Sequence, residues 1–192
     1  LVAMSIGWPL ASTLAGRFMI RIGYRPLVVG GALLTMLGVG MLTFAGPATS
    51  MLFLIAAMVV LGIGNGFVST PYLVAVQNAV PWHRRGIATS IGQFFRTIGG
   101  SVAVAGFGAV LNAHLAGRIR GVNANAALDP DLRGTLSPVQ VESLVFGLAG
   151  GLHAVFLACA ALALLGLGIA LLFPGGSATD HAHKEVPLAE SA

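Results

Sequence analysis

Charge is scarce in this sequence and cysteine nearly absent, and each shortage excludes something. Charged residues fill 8% of its 192 positions and hydrophobic residues 56%, whereas soluble domains are about 25% charged. A soluble core of this size could not bury so much apolar surface and still cover its exterior with so few charges. A lipid exterior removes the conflict, because it is itself apolar. The mean hydropathy of +0.91 points the same way. Cys159 is the only cysteine, which excludes an internal disulfide framework and a cysteine-cluster metal site. It sits in an apolar run and reads as a small hydrophobe, not a reactive thiol. GxSxG, HExxH and phosphate-loop patterns are missing as well. The chain therefore does not read as an enzyme, and no cofactor or metal is expected. His181 and His183 form an HxH in the tail without further ligands at a suitable spacing, so a solvated tail is expected there.

The formal charge is +4, which raises nucleic acid as a partner. The arginines, however, cluster between apolar runs and do not line one face with interleaved aromatics, so no nucleic acid is expected. Basic clusters at the ends of apolar runs are topology signals.

The expected fold is all-α, a polytopic transmembrane helix bundle. Helices are expected at about 1–16, 27–46, 51–73, 87–112 and 144–173, within one transmembrane region over 1–173. An outside loop would cover 113–143, and a disordered tail 174–192. The runs are long and continuous, unlike barrel strands of about ten alternating residues. No basic leader of the kind a signal peptide needs precedes the first run. That run is shorter than the roughly 20 residues of a full span. The expectation is that the chain is cut within a helix and that its N-terminal part is missing. Arg17, Arg21 and Arg25 lie two spans away from Arg84 and Arg85, so both clusters face one side, and the Gly46–Ser50 turn between them is uncharged. The basic side, with the tail, is expected to be cytoplasmic in the plasma membrane. Ser137, Pro138 and Gln140 form a helix-start pattern, so the last helix is expected to begin there, before the lipid.

The expected spans contain no Asp, Glu or Lys; their ionisable side chains are Arg96 and His153. Arg96 lies about nine residues into its span, roughly 14 Å deep at 1.5 Å per residue. An arginine near the midplane costs at least about 2.5–3.5 kcal/mol and should face a cavity or a partner. Thr89, Gln93, Arg96, Thr97 and Gly100 share one helical face. Gly92, Gly99, Ala103 and Gly106 form an adjacent stripe of small residues for helix contact. Two readings stand: a substrate-path or gating face, or a structural arginine bonded to helix-end carbonyls. In the third span Gly62 and Gly66 make a GxxxG pair for tight packing and Pro71 is a kink candidate. Asn65 could bond a ligand or a neighbouring backbone. His153 reads as a hydrogen-bonded packing residue. The third and fourth spans are the most polar, which predicts cavity-facing helices; the second and fifth are the least polar, which predicts lipid-facing ones.

Gly16-Arg17-Phe18-Met19-Ile20-Arg21-Ile22-Gly23-Tyr24-Arg25-Pro26 resembles the cytoplasmic loop motif of the major facilitator superfamily, in its second-half copy. Gly62-Ile63-Gly64-Asn65-Gly66, followed by Pro71, resembles the glycine-rich helix two elements later. Val76 to Pro81, Arg85 to Ser90 and Phe95 to Gly100 resemble the penultimate-helix region of the fourteen-span drug:proton antiporters in that superfamily. The resemblance covers nearly the whole chain except the tail. It implies the last five helices of a transporter, with the first, third and fourth lining a central cavity. It implies alternating access around a midplane site, a small-molecule substrate, protons as the coupled ion, and the lipid bilayer and preceding helices as partners. Arg96, Gln93, Thr89, Thr97 and Asn65 would line the substrate path or gate. Gly16, Arg17, Arg21, Gly23 and Arg25 would form the cytoplasmic loop motif. Gly62, Gly66, Pro71, Gly99 and Gly100 would pack helices. Proton coupling usually needs an embedded carboxylate, which must then come from the missing portion unless Arg96 and His153 substitute for it. A narrow metabolite exporter of the same fold and a non-transporting scaffold subunit are the alternatives.

Overall fold

The computed structural model describes residues 2–118 and 138–173, with side chains over 7–114 and 145–173. Five long helices follow one another: α1 (Val2–Ile22), α2 (Tyr24–Thr43), α3 (Met51–Asn78), α4 (Arg85–Arg118) and α5 (Pro138–Leu171). A single 3-10 turn, Trp82–Arg84, joins α3 to α4, and there is no strand among the described residues. Four stretches are long and apolar enough to cross a membrane: Tyr24–Thr43, Met51–Asn78, Trp82–His114 and Val145–Leu171. The remaining helix, α1, is diluted by Pro9, Ser12, Thr13, Arg17 and Arg21.

Most helices extend beyond the boundaries expected from hydropathy, whereas α2, expected over 27–46, is shifted to Tyr24–Thr43 and ends three residues early. Residues 17–22 are helical, where a basic loop was expected. Arginine is a good helix former, and cations in a last turn complement the carbonyl end of the helix dipole. The chain breaks only at Gly23, whose φ of 81° is open to glycine at little cost. Its N–H still closes on the Met19 carbonyl at 3.1 Å. At the far end of α3 the helix runs through Pro71 to Asn78, five residues past the expected end. Residues 113–118 and 138–143 are helical as well, and so lie outside a pure loop. At 34 residues each, α4 and α5 are about 51 Å long, well beyond a hydrocarbon core of about 30 Å. The start of α5 at Pro138 follows the Pro-first pattern; Ser137, the expected cap, and the tail over 174–192 lie outside the described residues.

The centre of the bundle is α3, held between α1 and α2. Gly7, Ala11, Ala15 and Met19 are buried at steps of four, forming one stripe on α1. A Cβ on Gly66 would stand 2.5 Å from Ala11 Cβ and 2.8 Å from the Trp8 carbonyl oxygen, so only hydrogen fits there. A Cβ on Gly7 would stand 3.6 Å from Gly62 Cα. Gly64 faces α2 instead, where a Cβ would stand 2.6 Å from Thr35 N and 2.9 Å from the Gly31 carbonyl. Alternating glycines thus seat two neighbours on two sides of one helix. In lipid such close backbone approach supplies much of the association energy. Pro71 is fully buried on the same helix.

The second layer is α5, which packs on α2 and α4, while α4 meets α3 only sparingly. Gly99 and Gly100 do not pack as the small-residue stripe led us to expect: nothing described lies within 4 Å of where their Cβ atoms would be. Much of α4 faces away from this chain's other helices. An apolar cleft of about 470 Å³ lies between α2, α3, α4 and α5, with Cys159 in its wall among leucine and alanine, in line with its reading as a hydrophobe. His153 is exposed on α5 among the described residues.

One end of the bundle gathers the basic residues. Met19, Tyr24 and Leu27 form a cluster against which Val74, Ala75 and Phe173 pack, so the ends of α1, α3 and α5 meet the start of α2. Asn78 Nδ2 donates to Tyr24 Oη at 2.9 Å across this end. At the opposite end, the turn over 44–50 is uncharged, and Ser50 Oγ accepts from Phe53 N at 3.3 Å to cap α3.

The glycine contacts give a direct test. Gly66→Ala should lower the thermal unfolding midpoint of purified protein, by about 1–3 kcal/mol of overpacking. Gly40→Ala, inside α2 with nothing within 4 Å of its Cβ, should leave it unchanged or raise it slightly, because alanine is the better helix former. Equal midpoints for the two variants would show that the α1–α3 approach is not limiting.

Candidate functional site

A groove of about 660 Å³ runs where α1, α3 and α4 meet. Trp8 and Ser12 come from α1, residues from Asn65 to Val76 from α3, and Ala88 to Arg96 from α4; α2 and α5 contribute none. This is the division of helices expected from the polarity of the spans. Thr89, Gln93, Arg96 and Asn65 are thus brought to one groove. Thr97 does not line that groove: it lies round α4 in an adjoining pocket with Gln93, Arg96 and Gly100, and its Oγ1 donates to the Gln93 carbonyl at 3.0 Å.

Each polar wall residue has a local reason for its orientation. Asn65 Nδ2 donates to the Leu61 carbonyl one turn back, at 3.2 Å, which is the backbone alternative expected for it. Gln77 Nε2 donates to Thr89 Oγ1 at 3.2 Å, and Thr89 Oγ1 donates to the Arg85 carbonyl at 2.9 Å, tying the end of α3 to the start of α4. Arg85 stacks at 5.0 Å over Trp82, and its Nε is buried with no hydrogen-bond partner among the described residues.

Arg96 is exposed and, among the described residues, is the one charged residue lining the groove. Its guanidinium carbon stands 5.9 Å from the ring centroid of Trp8 on the opposite wall, within cation–π range. Trp8 Nε1 donates to Ser69 Oγ at 3.2 Å. The arginine thus meets an aromatic face across a cavity, and among the described residues it makes no hydrogen bond to a helix-end carbonyl. Trp8 and Ser69 were not among the residues singled out from sequence. Trp8 sits in an apolar run, and only the approach of α1 to α4 makes it a wall residue.

The loop-motif residues divide. Gly23 is the left-handed break, and Arg25 Nη2 donates to the Leu171 carbonyl at 3.0 Å, in the last turn of α5. Arg17 and Arg21 are exposed at the end of α1, and a Cβ on Gly16 would meet nothing within 4 Å. Among the described residues no group of three or more His, Cys, Asp or Glu could hold a metal.

A bundle of long apolar helices with a polar groove between three of them is the architecture of a polytopic helical membrane protein. The Major Facilitator Superfamily matches over residues 1–104, more than half of the chain, and the chain belongs to that family. It is 34% identical over 110 residues to the multidrug transporter protein MdtP of Bacillus subtilis, covering 57% of this chain and 20% of that protein. It is 32% identical over 134 residues to the multidrug resistance protein Stp of Mycobacterium tuberculosis, covering 70% of this chain and 25% of that protein. The chain thus spans a fifth to a quarter of these relatives' length. The crystal structure of the Escherichia coli fucose:proton symporter FucP superposes with a TM-score of 0.72 over 96% of this chain and 43% of FucP, at 18% identity, and so shares its fold. Family and fold are those of multi-pass membrane transporters, not enzymes.

The Arg25 contact is testable. Arg25→Ala should lower the unfolding midpoint by roughly 0.3–1 kcal/mol, the scale of a cation at a helix C-terminus. Arg17→Ala, at an exposed position, should not. Loss of equal size in both would indicate a general charge effect in place of the α5 contact.

Proposed function

We propose that this chain forms the last five helices of a fourteen-span drug:proton antiporter that exports amphipathic, often cationic small molecules by alternating access. The observation that carries this reading is the groove itself. It is lined by α1, α3 and α4, mixes an aromatic wall with Arg96, Gln93 and Asn65, and occurs in a chain similar to multidrug transporters of two bacteria. A mostly apolar pocket with a few placed polar groups suits varied amphipathic ligands.

In this reading Arg96, Gln93, Thr89 and Asn65 meet the substrate, and Thr97 belongs to the face turned toward the helices that precede this chain in the longer protein. Among the described residues none that lines the groove is acidic, and in this reading the proton-carrying carboxylate belongs to those preceding helices. Two halves rock around the groove and expose it to each side in turn. The end bearing Arg17, Arg21, Arg25, Arg84 and Arg85 faces the cytoplasm, by the excess of positive charge there. Residues 174–192 follow α5 out of that end. Arg25, bonded to the last turn of α5, holds the cytoplasmic ends of α2 and α5 together as the half moves. Gly62, Gly66 and Pro71 keep α1 and α3 moving as one body. Gly99 and Gly100, with no neighbour in this chain, offer room for a helix of the longer protein.

The test uses the full-length protein in a host stripped of its own exporters. A fluorescent cationic dye should accumulate less in cells making the protein, and an uncoupler should abolish the difference. Unchanged accumulation in cells with abundant protein would favour a narrow metabolite exporter. In the same cells Arg96→Ala should reduce efflux at least tenfold while membrane abundance holds, as expected for an intramembrane arginine with a functional partner. Normal efflux, or a fall in abundance alone, would mark Arg96 as structural.

A further inference from the structure

The two residues that face each other across the groove are not equally fixed. Trp8 is anchored on α3 at two points. Its ring N–H donates to Ser69 Oγ at 3.2 Å, and its backbone oxygen lies against Gly66, where there is no room for a side chain. The residue is nonetheless 42% exposed and lines the groove. Arg96 is exposed on α4, which meets α3 sparingly, and its side chain is long and has several rotatable bonds. The indole is therefore a rigid platform, and the guanidinium 5.9 Å above it is a movable occupant.

We propose that the groove face of Trp8 is the cation-recognition platform of this protein, occupied by Arg96 in the absence of substrate, and that an aromatic cation binds by displacing Arg96 from it. The face of one indole accommodates one cation at cation–π distance. A planar, delocalised cation brings the same charge as the guanidinium and a larger stacking surface, so it competes well. A neutral aromatic of similar size gains no charge attraction with which to displace the guanidinium, and binds instead on the apolar walls of the groove, where Arg96 does not compete. Trp8 thereby determines specificity, and Arg96 is an internal competitor that sets how tightly cations are held. Weak holding favours release on the far side, so losing Arg96 should tighten binding while slowing efflux. This inference rests on the drug-export reading and adds to it the residue that selects charge.

The experiment is equilibrium binding to the full-length protein in detergent, with ethidium as the cationic probe and Nile red as the neutral planar one. Arg96→Gln should bind ethidium roughly two- to fivefold more tightly than the unaltered protein, the scale of an exposed cation–π contact, with Nile red affinity unchanged. Like-charge repulsion alone would also tighten binding, and a double-mutant cycle separates the two causes. In a Trp8→Leu background the gain from Arg96→Gln should vanish; a gain that persists without the ring overturns the proposal. Arg96→Lys, read with Trp8 intact, covers the case in which Trp8→Leu fails to fold. It keeps the charge but loses the flat guanidinium stack, so competition requires an intermediate gain, and affinity equal to the unaltered protein overturns it. Unchanged or weaker ethidium binding by Arg96→Gln overturns it as well. If the unaltered protein binds neither ethidium nor other aromatic cations, the drug-export reading and this inference fall together. If it binds ethidium without regard to Trp8 and Arg96, only this inference falls.

Discussion

Helix α3 can be central only because its backbone comes close to two neighbours at once. Gly62 and Gly66 face α1, and Gly64 faces α2 through Gly31 and Thr35. In water, apolar side chains would drive such an assembly; in lipid the tails are as apolar as leucine, and tight packing must supply much of the attraction. Replacing hydrogen with a methyl group at these positions separates backbones, and every element positioned by them moves. The groove inherits this constraint, because Trp8 is carried against Gly66 and its ring is aimed by Ser69.

A second consequence concerns polar groups. Lipid offers no hydrogen bonds, so side-chain donors within the helices turn inward on their own backbone. Asn65 does so on Leu61, Thr97 on Gln93 and Thr35 on Gly31. These bonds satisfy the residues where they stand and leave a second face free for a ligand. Arg96 has five donors and cannot be satisfied that way; it reaches over the groove to an aromatic face instead. The exposed polar side of α4 and the unpacked Gly99 and Gly100 are physically consistent with a chain that spans a fifth to a quarter of its relatives' length.

The basic end shows how a loop motif acts as structure. Gly23 breaks the helix in a left-handed conformation, Arg25 then reaches the last turn of α5, and Tyr24 takes the amide of Asn78. Three consecutive residues thus join four helix ends. The short break also explains why hydropathy placed the boundary too early: arginines at the end of α1 are charged and helical at once.

By itself, the sequence determined that the chain is a set of apolar helices, that two arginine clusters, Arg17–Arg25 and Arg84–Arg85, share one side, and that Arg96 must face a cavity or a partner. Those conclusions follow from transfer energies and from the period of the helix, which are local properties. The cavity-facing role of α3 and α4 was legible for the same reason, and so was the glycine pair Gly62–Gly66. Tertiary structure alone decided what Arg96 meets, because Trp8 lies 88 positions away in a run that hydropathy reads as plain hydrocarbon-facing helix. It also decided that Gly64 serves a second neighbour, that Thr97 falls outside the groove, and that Arg25 ends on α5. Each of these depends on how whole helices approach one another, and no pattern within a single helix encodes that distance.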